Sequence, residues 1–321
     1  MIDFFGEDDY AEQMKEVVLP FLEENDREGY FDGVGGMRLH YHSIINPDEK
    51  AAVVISHGFC EFFQKYHEMT YYFYQSGYSV FFIEHRGHGY SGREIDDMHK
   101  VHCTDFFNYV EDLKCFMDQV VSRESQTGRY LLYCHSMGGC IGALFMERYP
   151  DYFRAGVLSS PMMRLNFRGV NPVAVRVLLV WSIIARWDKK FLPTQHDFDF
   201  INTYPKCSAQ SQARHNYLFE YRLHDEHYYN NGGTYKWARE SFKGMKAAIA
   251  DAGRIQVPVI LFQAGQDTMV EPGGQEAFLK NNPAIEKKYY PDSKHEIFNA
   301  YDADRMDYYN TIISFYEKYD G

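Results

Sequence analysis

Residues Tyr130 to Gly139 read YLLYCHSMGG, a hydrophobic run that passes through Ser136 into a pair of glycines. Tyr130–Cys134 has the composition of a strand, and Met137–Tyr149 can be helical. A serine on so sharp a strand-to-helix turn has its hydroxyl lifted above the carboxyl edge of a sheet, provided that its neighbours are small. Gly138 and Gly139 meet that need. Cys134 stands where the G-x-S-x-G pattern has its first glycine, so the turn must tolerate a Cβ there. A glycine-rich turn with an incidental serine would look the same over these residues, so the chemistry has to be sought in the rest of the chain.

Around this run, β-type and helical stretches alternate. Strands are expected at Met37–Ile44, Ala51–Ser56, Ser79–Glu84, Ala155–Ser159, Val259–Ala264 and Lys287–Tyr290. Helices are expected at Tyr66–Ser76, Thr104–Arg123, Gly273–Asn281 and Arg305–Lys318. The alternation predicts an α/β fold, a mostly parallel sheet with helices on both faces. The unbroken apolar triplets Val53–Ile55 and Phe81–Ile83 suit strands buried on both sides. The alternation stops after Pro161 and resumes near Val257. The expected organisation is a first core part over residues 1–161, an inserted lid or cap over 162–245, and a second core part over 246–321.

Serine is a weak nucleophile until a base takes its proton and a carboxylate orients that base. Asp267 follows the strand Val259–Ala264, and His295 follows Lys287–Tyr290, so both stand just past strand ends, where reacting groups gather in open α/β sheets. Asp292 and Glu296 compete for the acid role but adjoin His295 in sequence. An acyl-transfer site also needs donors for an oxyanion. The turn His57–Gly58–Phe59 offers the N–H of Phe59 to pair with that of Met137. The run EHRGHGYSG (Glu84–Gly92) lacks the spacing of a phosphate loop and is expected to be structural, with Arg86 tying acidic groups together. His99, His102 and Cys103 are too loosely grouped for a zinc site. Neither a metal nor a cofactor is expected.

The 321-residue chain carries 33 Lys and Arg against 45 Asp and Glu, a net charge of -12 that argues against general nucleic-acid binding. Six scattered cysteines read as free thiols, and the acidic start shows no secretory signal, so a cytoplasmic protein is expected. Val173–Trp187 is apolar but interrupted by Arg176 and Arg186, and shorter than the roughly 20 residues that a bilayer span needs. It suits a cap helix over a lipid pocket, or an ordinary buried helix. Residues 162–245 hold 12 Lys and Arg against 7 Asp and Glu, a basic insertion on an acidic body. Such a balance favours an anionic or zwitterionic partner, or is uneven surface charge.

SHGFCEFFQKY (Ser56–Tyr66), IEHRGHGYSGR (Ile83–Arg93), CHSMGG (Cys134–Gly139), SSPM (Ser159–Met162), GGTYKWARES (Gly232–Ser241), QAGQD (Gln263–Asp267) and KHEIFNA (Lys294–Ala300) occur in this order. With these motifs the chain resembles the monoglyceride lipase and lysophospholipase family of α/β-hydrolases, in particular its bacterial lysophospholipase L2 branch. The resemblance implies an α/β-hydrolase fold and hydrolysis of single-chain lipid esters through an acyl-enzyme. It implies Ser136 as nucleophile, His295 as base, Asp267 as orienting acid, Phe59 and Met137 as oxyanion donors, and a lid over an acyl pocket. Arg164, Arg168, Arg214 and Arg222 are the candidates for a substrate phosphate, and the lid is a candidate for peripheral membrane contact. The bulk of Phe59 departs from many relatives. Alternatives are a monoacylglycerol lipase or general carboxylesterase, a proline-releasing aminopeptidase using Glu61 and Glu220 to hold an amine, and a binding module without catalysis.

Overall fold

In the computed structural model, which describes residues 2–167 and 169–321, the apolar triplets lie at the centre of an eight-stranded sheet. Its strands are β1 (Asp26–Asp32), β2 (Arg38–Ile44), β3 (Ala51–Ser56), β4 (Tyr78–Ile83), β5 (Tyr130–His135), β6 (Ala155–Ser159), β7 (Val259–Ala264) and β8 (Glu286–Tyr290). They lie in the spatial order β1-β2-β4-β3-β5-β6-β7-β8. β2 is antiparallel to both β1 and β4, and all other neighbours are parallel. Because successive side chains point to opposite faces, one run feeds two cores. Val53, Ile55, Phe82, Leu131 and Tyr133 face one, while Val54, Phe81, Ile83, Leu132 and Leu158 face the other.

Helices α1 (His67–Gln75), α2 (Phe107–Phe116), α3 (Met137–Arg148), α4 (Pro172–Ile184), α5 (Gln212–His224), α6 (Tyr235–Asp251), α7 (Pro272–Asn281) and α8 (Asp302–Tyr316) complete the frame. α1 and α8 cover the first core, and α2, α3, α6 and α7 the second. The helical segment 10–25 and β1 lie outside the expected elements. The first carries a usable signal, since Tyr10, Met14, Val18 and Leu22 are buried at four-residue spacing. β1, with sequence DREGYFD, does not alternate, because a charged edge strand discourages pairing with other chains.

The insertion after β6 differs from expectation in two ways. Its expected end at Met245 falls inside α6, which runs unbroken and belongs to the core. A Cβ on Gly244 would lie 2.3 Å from the Phe106 ring, and Asn281 Nδ2 donates to the Ile249 carbonyl at 2.6 Å. The cap therefore ends near Thr234, whose hydroxyl accepts the Trp237 N–H and caps α6. Three of the counted basic residues, Lys236, Arg239 and Lys243, sit on α6 and pair with Glu240 or Asp188. Second, the apolar helix α4 buries only Leu179 and Ser182. Val173, Val177, Val180, Trp181, Ile183 and Ile184 are all exposed. No helix among the described residues is long and apolar enough to cross a membrane.

Candidate active site

Ser136 joins β5 to α3 at φ 50°, ψ −112°, a backbone conformation that costs a non-glycine residue of the order of 1–3 kcal/mol. Surrounding hydrogen bonds hold it. Its N–H donates to the Ser159 carbonyl at 3.0 Å, and its carbonyl accepts the Met162 N–H at 2.8 Å. Both following glycines are obligatory. A Cβ on Gly138 would lie 2.0 Å from the Ser56 carbonyl oxygen, and one on Gly139 2.6 Å from the Pro161 Cβ. The side chain of Cys134 is accommodated because α3 has a glycine, Gly142, against its sulfur. Burial pushes that thiol well above its ordinary pKa, so it is an inert packing group.

β7 and β8 deliver the acid and the histidine. His295 Nδ1 lies 2.6 Å from Asp267 Oδ2, with both side chains nearly buried. Asp267 Oδ1 accepts the N–H groups of Met269 and Val270 at 2.7 and 3.0 Å. Burial alone would raise this carboxyl, but His295 and the two N–H donors outweigh it and hold it below its ordinary value. The imidazole packs 4.9 Å from the ring of His135, the residue before Ser136. The rival acids stand otherwise. Asp292 is exposed, and Glu296 accepts from Lys65, Ser208 and Asn299.

The turn after β3 abuts the start of α3, as the close approach of Gly138 to the Ser56 and His57 carbonyls requires. The N–H of Phe59 and that of Met137 have no hydrogen-bond partner among the described residues. Buried Glu61 fixes this turn to β5, the strand that leads into Ser136. Its carboxylate accepts the Gly58 N–H at 2.5 Å, Lys65 Nζ at 2.7 Å and the Tyr66 hydroxyl at 2.6 Å, and lies 3.0 Å from His135 Nδ1. Desolvation opposes its charge, but His135 and Lys65 hold it well below the usual range. A carboxylate so fully engaged has no capacity left for a substrate amine. Glu220 is exposed and lines a separate groove of 560 Å³ between α5 and the segment 10–25. Arg86 acts as expected, forming two hydrogen bonds to Asp112 at 2.6 and 2.8 Å and one to Glu94 at 2.9 Å.

The four arginines diverge. Arg214 is corrected from a phosphate ligand to a structural group: it is 1% exposed and its guanidinium donates twice to Glu68, at 2.8 and 2.7 Å. Arg164 is half exposed, 3.7 Å from Glu271, beside the segment that follows Asp267. Arg168 lies outside the described residues. Arg222 donates to the carbonyls of Tyr228 and Asn230 at 3.0 and 2.8 Å, and burial lowers its pKa. Arg93 was missed by the sequence reading, which treated its loop as structural. It donates to the Gly89 and His227 carbonyls, and its buried Nη1 has no partner among the described residues. Both guanidiniums act electrostatically on Cys60, the neighbour of Phe59, although burial is the larger influence and raises that thiol to about 12.

The profile of the family described as serine aminopeptidase, S33 (Hydrolase_4), matches residues 47–302, from before β3 into the start of α8. The chain belongs to this S33 family. Among curated members, lysophospholipase L2 of Escherichia coli strain K12 is 28% identical over 305 residues, covering 92% of this chain and 88% of that protein. Rat (Rattus norvegicus) monoglyceride lipase is 32% identical over 256 residues, 77% of this chain and 75% of that one. The solved structure of a soluble variant of Saccharomyces cerevisiae monoglyceride lipase superposes with TM-score 0.72 at 18% identity, covering 91% and 94% of the two chains. That likeness is one of fold. The chain is thus an α/β-hydrolase, with the Ser136 turn, the turn at Phe59 and the Asp267–His295 pair all inside the matched span.

Proposed function

We propose that this protein hydrolyses single-chain lipid esters by acyl transfer through Ser136. The observation that carries the reading is the 2.6 Å contact of Asp267 with His295, set beside the strained Ser136 turn. Asp267 holds the imidazole with Nδ1 protonated, which leaves Nε2 as the base that takes the Ser136 proton. Oγ attacks the ester carbonyl, and the N–H groups of Phe59 and Met137 stabilise the oxyanion. The imidazolium returns its proton to the leaving alcohol, and water then repeats the sequence on the acyl-enzyme. Lipase and lysophospholipase relatives support the lipid class, and the saturation of Glu61 disfavours an aminopeptidase.

The head group we assign is anionic, as in a lysophospholipid. Arg93 and Arg222 support this, since both are substantially buried cations bonded to carbonyls rather than to carboxylates, next to the turn that carries Phe59. The exposed apolar face of α4 supports transient contact of the cap with a lipid surface.

Two measurements test the reading. A fluorophosphonate should label wild type and not Ser136→Ala. Hydrolysis of lysophosphatidylcholine, lysophosphatidylethanolamine, monoacylglycerols, short p-nitrophenyl esters and proline amides should favour the lipids. In Arg93→Gln and Arg222→Gln, kcat/KM should fall roughly 10-fold or more for lysophospholipids and little for monoacylglycerols, as loss of a charge-assisted contact of about 1.5–3 kcal/mol requires. An unchanged ratio would transfer the assignment to monoacylglycerols.

A further inference from the structure

β2 carries His40 and His42 two residues apart, so both side chains leave the same face of the sheet. The antiparallel register of β1 sets Glu28 directly opposite His42. One ligand-type atom from each of Glu28, His40 and His42 lies within 4.8 Å of the other two. The two imidazoles are nearly buried, whereas Glu28 is mostly exposed at 69% and can move.

The surroundings of the rings are those of oriented ligands. His40 Nδ1 is 3.0 Å from Glu84 Oε2, and its Nε2 is 3.5 Å from Glu28 Oε2. A neutral imidazole has one N–H, so with a carboxylate at each nitrogen one lone pair faces an anion unless a second proton or a metal cation lies between them. His42 Nδ1 is 2.9 Å from Asp26 Oδ2, and the second oxygen of Asp26 is buried without a hydrogen-bond partner among the described residues. A carboxylate on one nitrogen is the usual device that aims the other at a metal. Packing fixes both rings: His42 stacks on Phe63 with centroids 3.9 Å apart, and His40 stands perpendicular to His42 at 4.8 Å.

We propose that Glu28, His40 and His42 form a site for a divalent transition-metal ion, zinc in the first instance, with Glu84 and Asp26 as orienting partners and water completing the shell. Two imidazoles and one carboxylate are a zinc-type donor set. Ligand atoms about 2.1 Å from a tetrahedral ion stand about 3.4 Å from one another, close to the 3.5 Å already present between His40 Nε2 and Glu28 Oε2. The site joins the edge strand β1 to β2, at the opposite edge of the sheet from β7 and β8, which carry Asp267 and His295. Its role is therefore to stabilise the hairpin, apart from ester hydrolysis.

The test uses the full chain, stripped with EDTA and titrated with Zn(II) by calorimetry and with Co(II) by visible absorption. Wild type should bind one equivalent and show a metal-dependent rise in Tm. Glu28→Gln, at an exposed position, should weaken binding at least 10-fold while leaving the metal-free Tm and ester hydrolysis unchanged. His42→Gln should abolish binding, and if that variant does not fold, Glu28→Gln alone decides. Absence of binding by wild type, or equal affinity in wild type and Glu28→Gln, overturns the proposal. So does nitrogen NMR showing His40 protonated at both nitrogens in the presence of Zn(II).

Discussion

The sulfur of Cys134 occupies the space that a side chain on Gly142 would need: a Cβ there would lie 2.2 Å from Sγ. The Ser136 turn thus tolerates a non-glycine residue in β5 because the facing turn of α3 has a glycine at Gly142. Gly142→Ala should destabilise the protein by about 1–3 kcal/mol through overpacking, despite the better helix propensity of alanine. Cys134→Gly should recover part of that loss when combined with it. Denaturant unfolding of the four proteins in this cycle measures the coupling, and additive effects would show that the two sites do not share this space.

The surroundings of the three loop carboxylates separate the proposed catalytic acid from its rivals: Asp267 is bonded to His295, Glu296 to Lys65, and Asp292 is exposed. Asp267→Asn should reduce kcat about 10⁴-fold, because an amide cannot hold His295 in the required tautomer. Asp292→Asn, at an exposed position, should leave kcat near wild type. Ester hydrolysis under saturating substrate distinguishes them, and the reverse ranking would move the acid role to Asp292.

Glu147, in the last turn of α3, is nearly buried, and its Oε1 lacks a partner among the described residues. Burial, reinforced by Asp251, raises its carboxyl from 4.5 to about 9. The folded protein then keeps a proton that the unfolded chain releases, so the stabilising contribution is complete below about pH 4.5 and is lost as pH rises to about 9. Glu147→Gln should match wild type near the acid end and exceed it by about 1–3 kcal/mol at mildly alkaline pH. Urea midpoints across this range check the trend. A constant difference between the two proteins would exclude titration of Glu147 as its source.

The exposed apolar face of α4 suits a lipid surface rather than the core. Val177→Asp and Trp181→Asp should reduce cosedimentation with anionic lipid vesicles, while hydrolysis of a short soluble ester stays within about 2-fold of wild type, since neither residue is buried. Unchanged vesicle binding would leave the face without a membrane role.

The sequence by itself determined the central strands of the sheet and placed Ser136, Asp267 and His295 just past strand ends. β3, β6 and β7 coincide with the expected strands because residues buried on both faces leave unbroken apolar runs in the chain. The serine turn was legible because its geometry demands glycine at Gly138 and Gly139. Other features depend on contacts between distant residues and leave no local pattern. The charged edge strand β1 acquires its place only by pairing with β2, and α6 belongs to the core only because Phe106 lies against Gly244. Charge counting could not separate Arg214, neutralised by a glutamate 146 residues away, from Arg222, held by carbonyls of its own cap. Only the tertiary structure decides which charges remain available to a substrate, because an ion pair is set by distance in space and not along the chain.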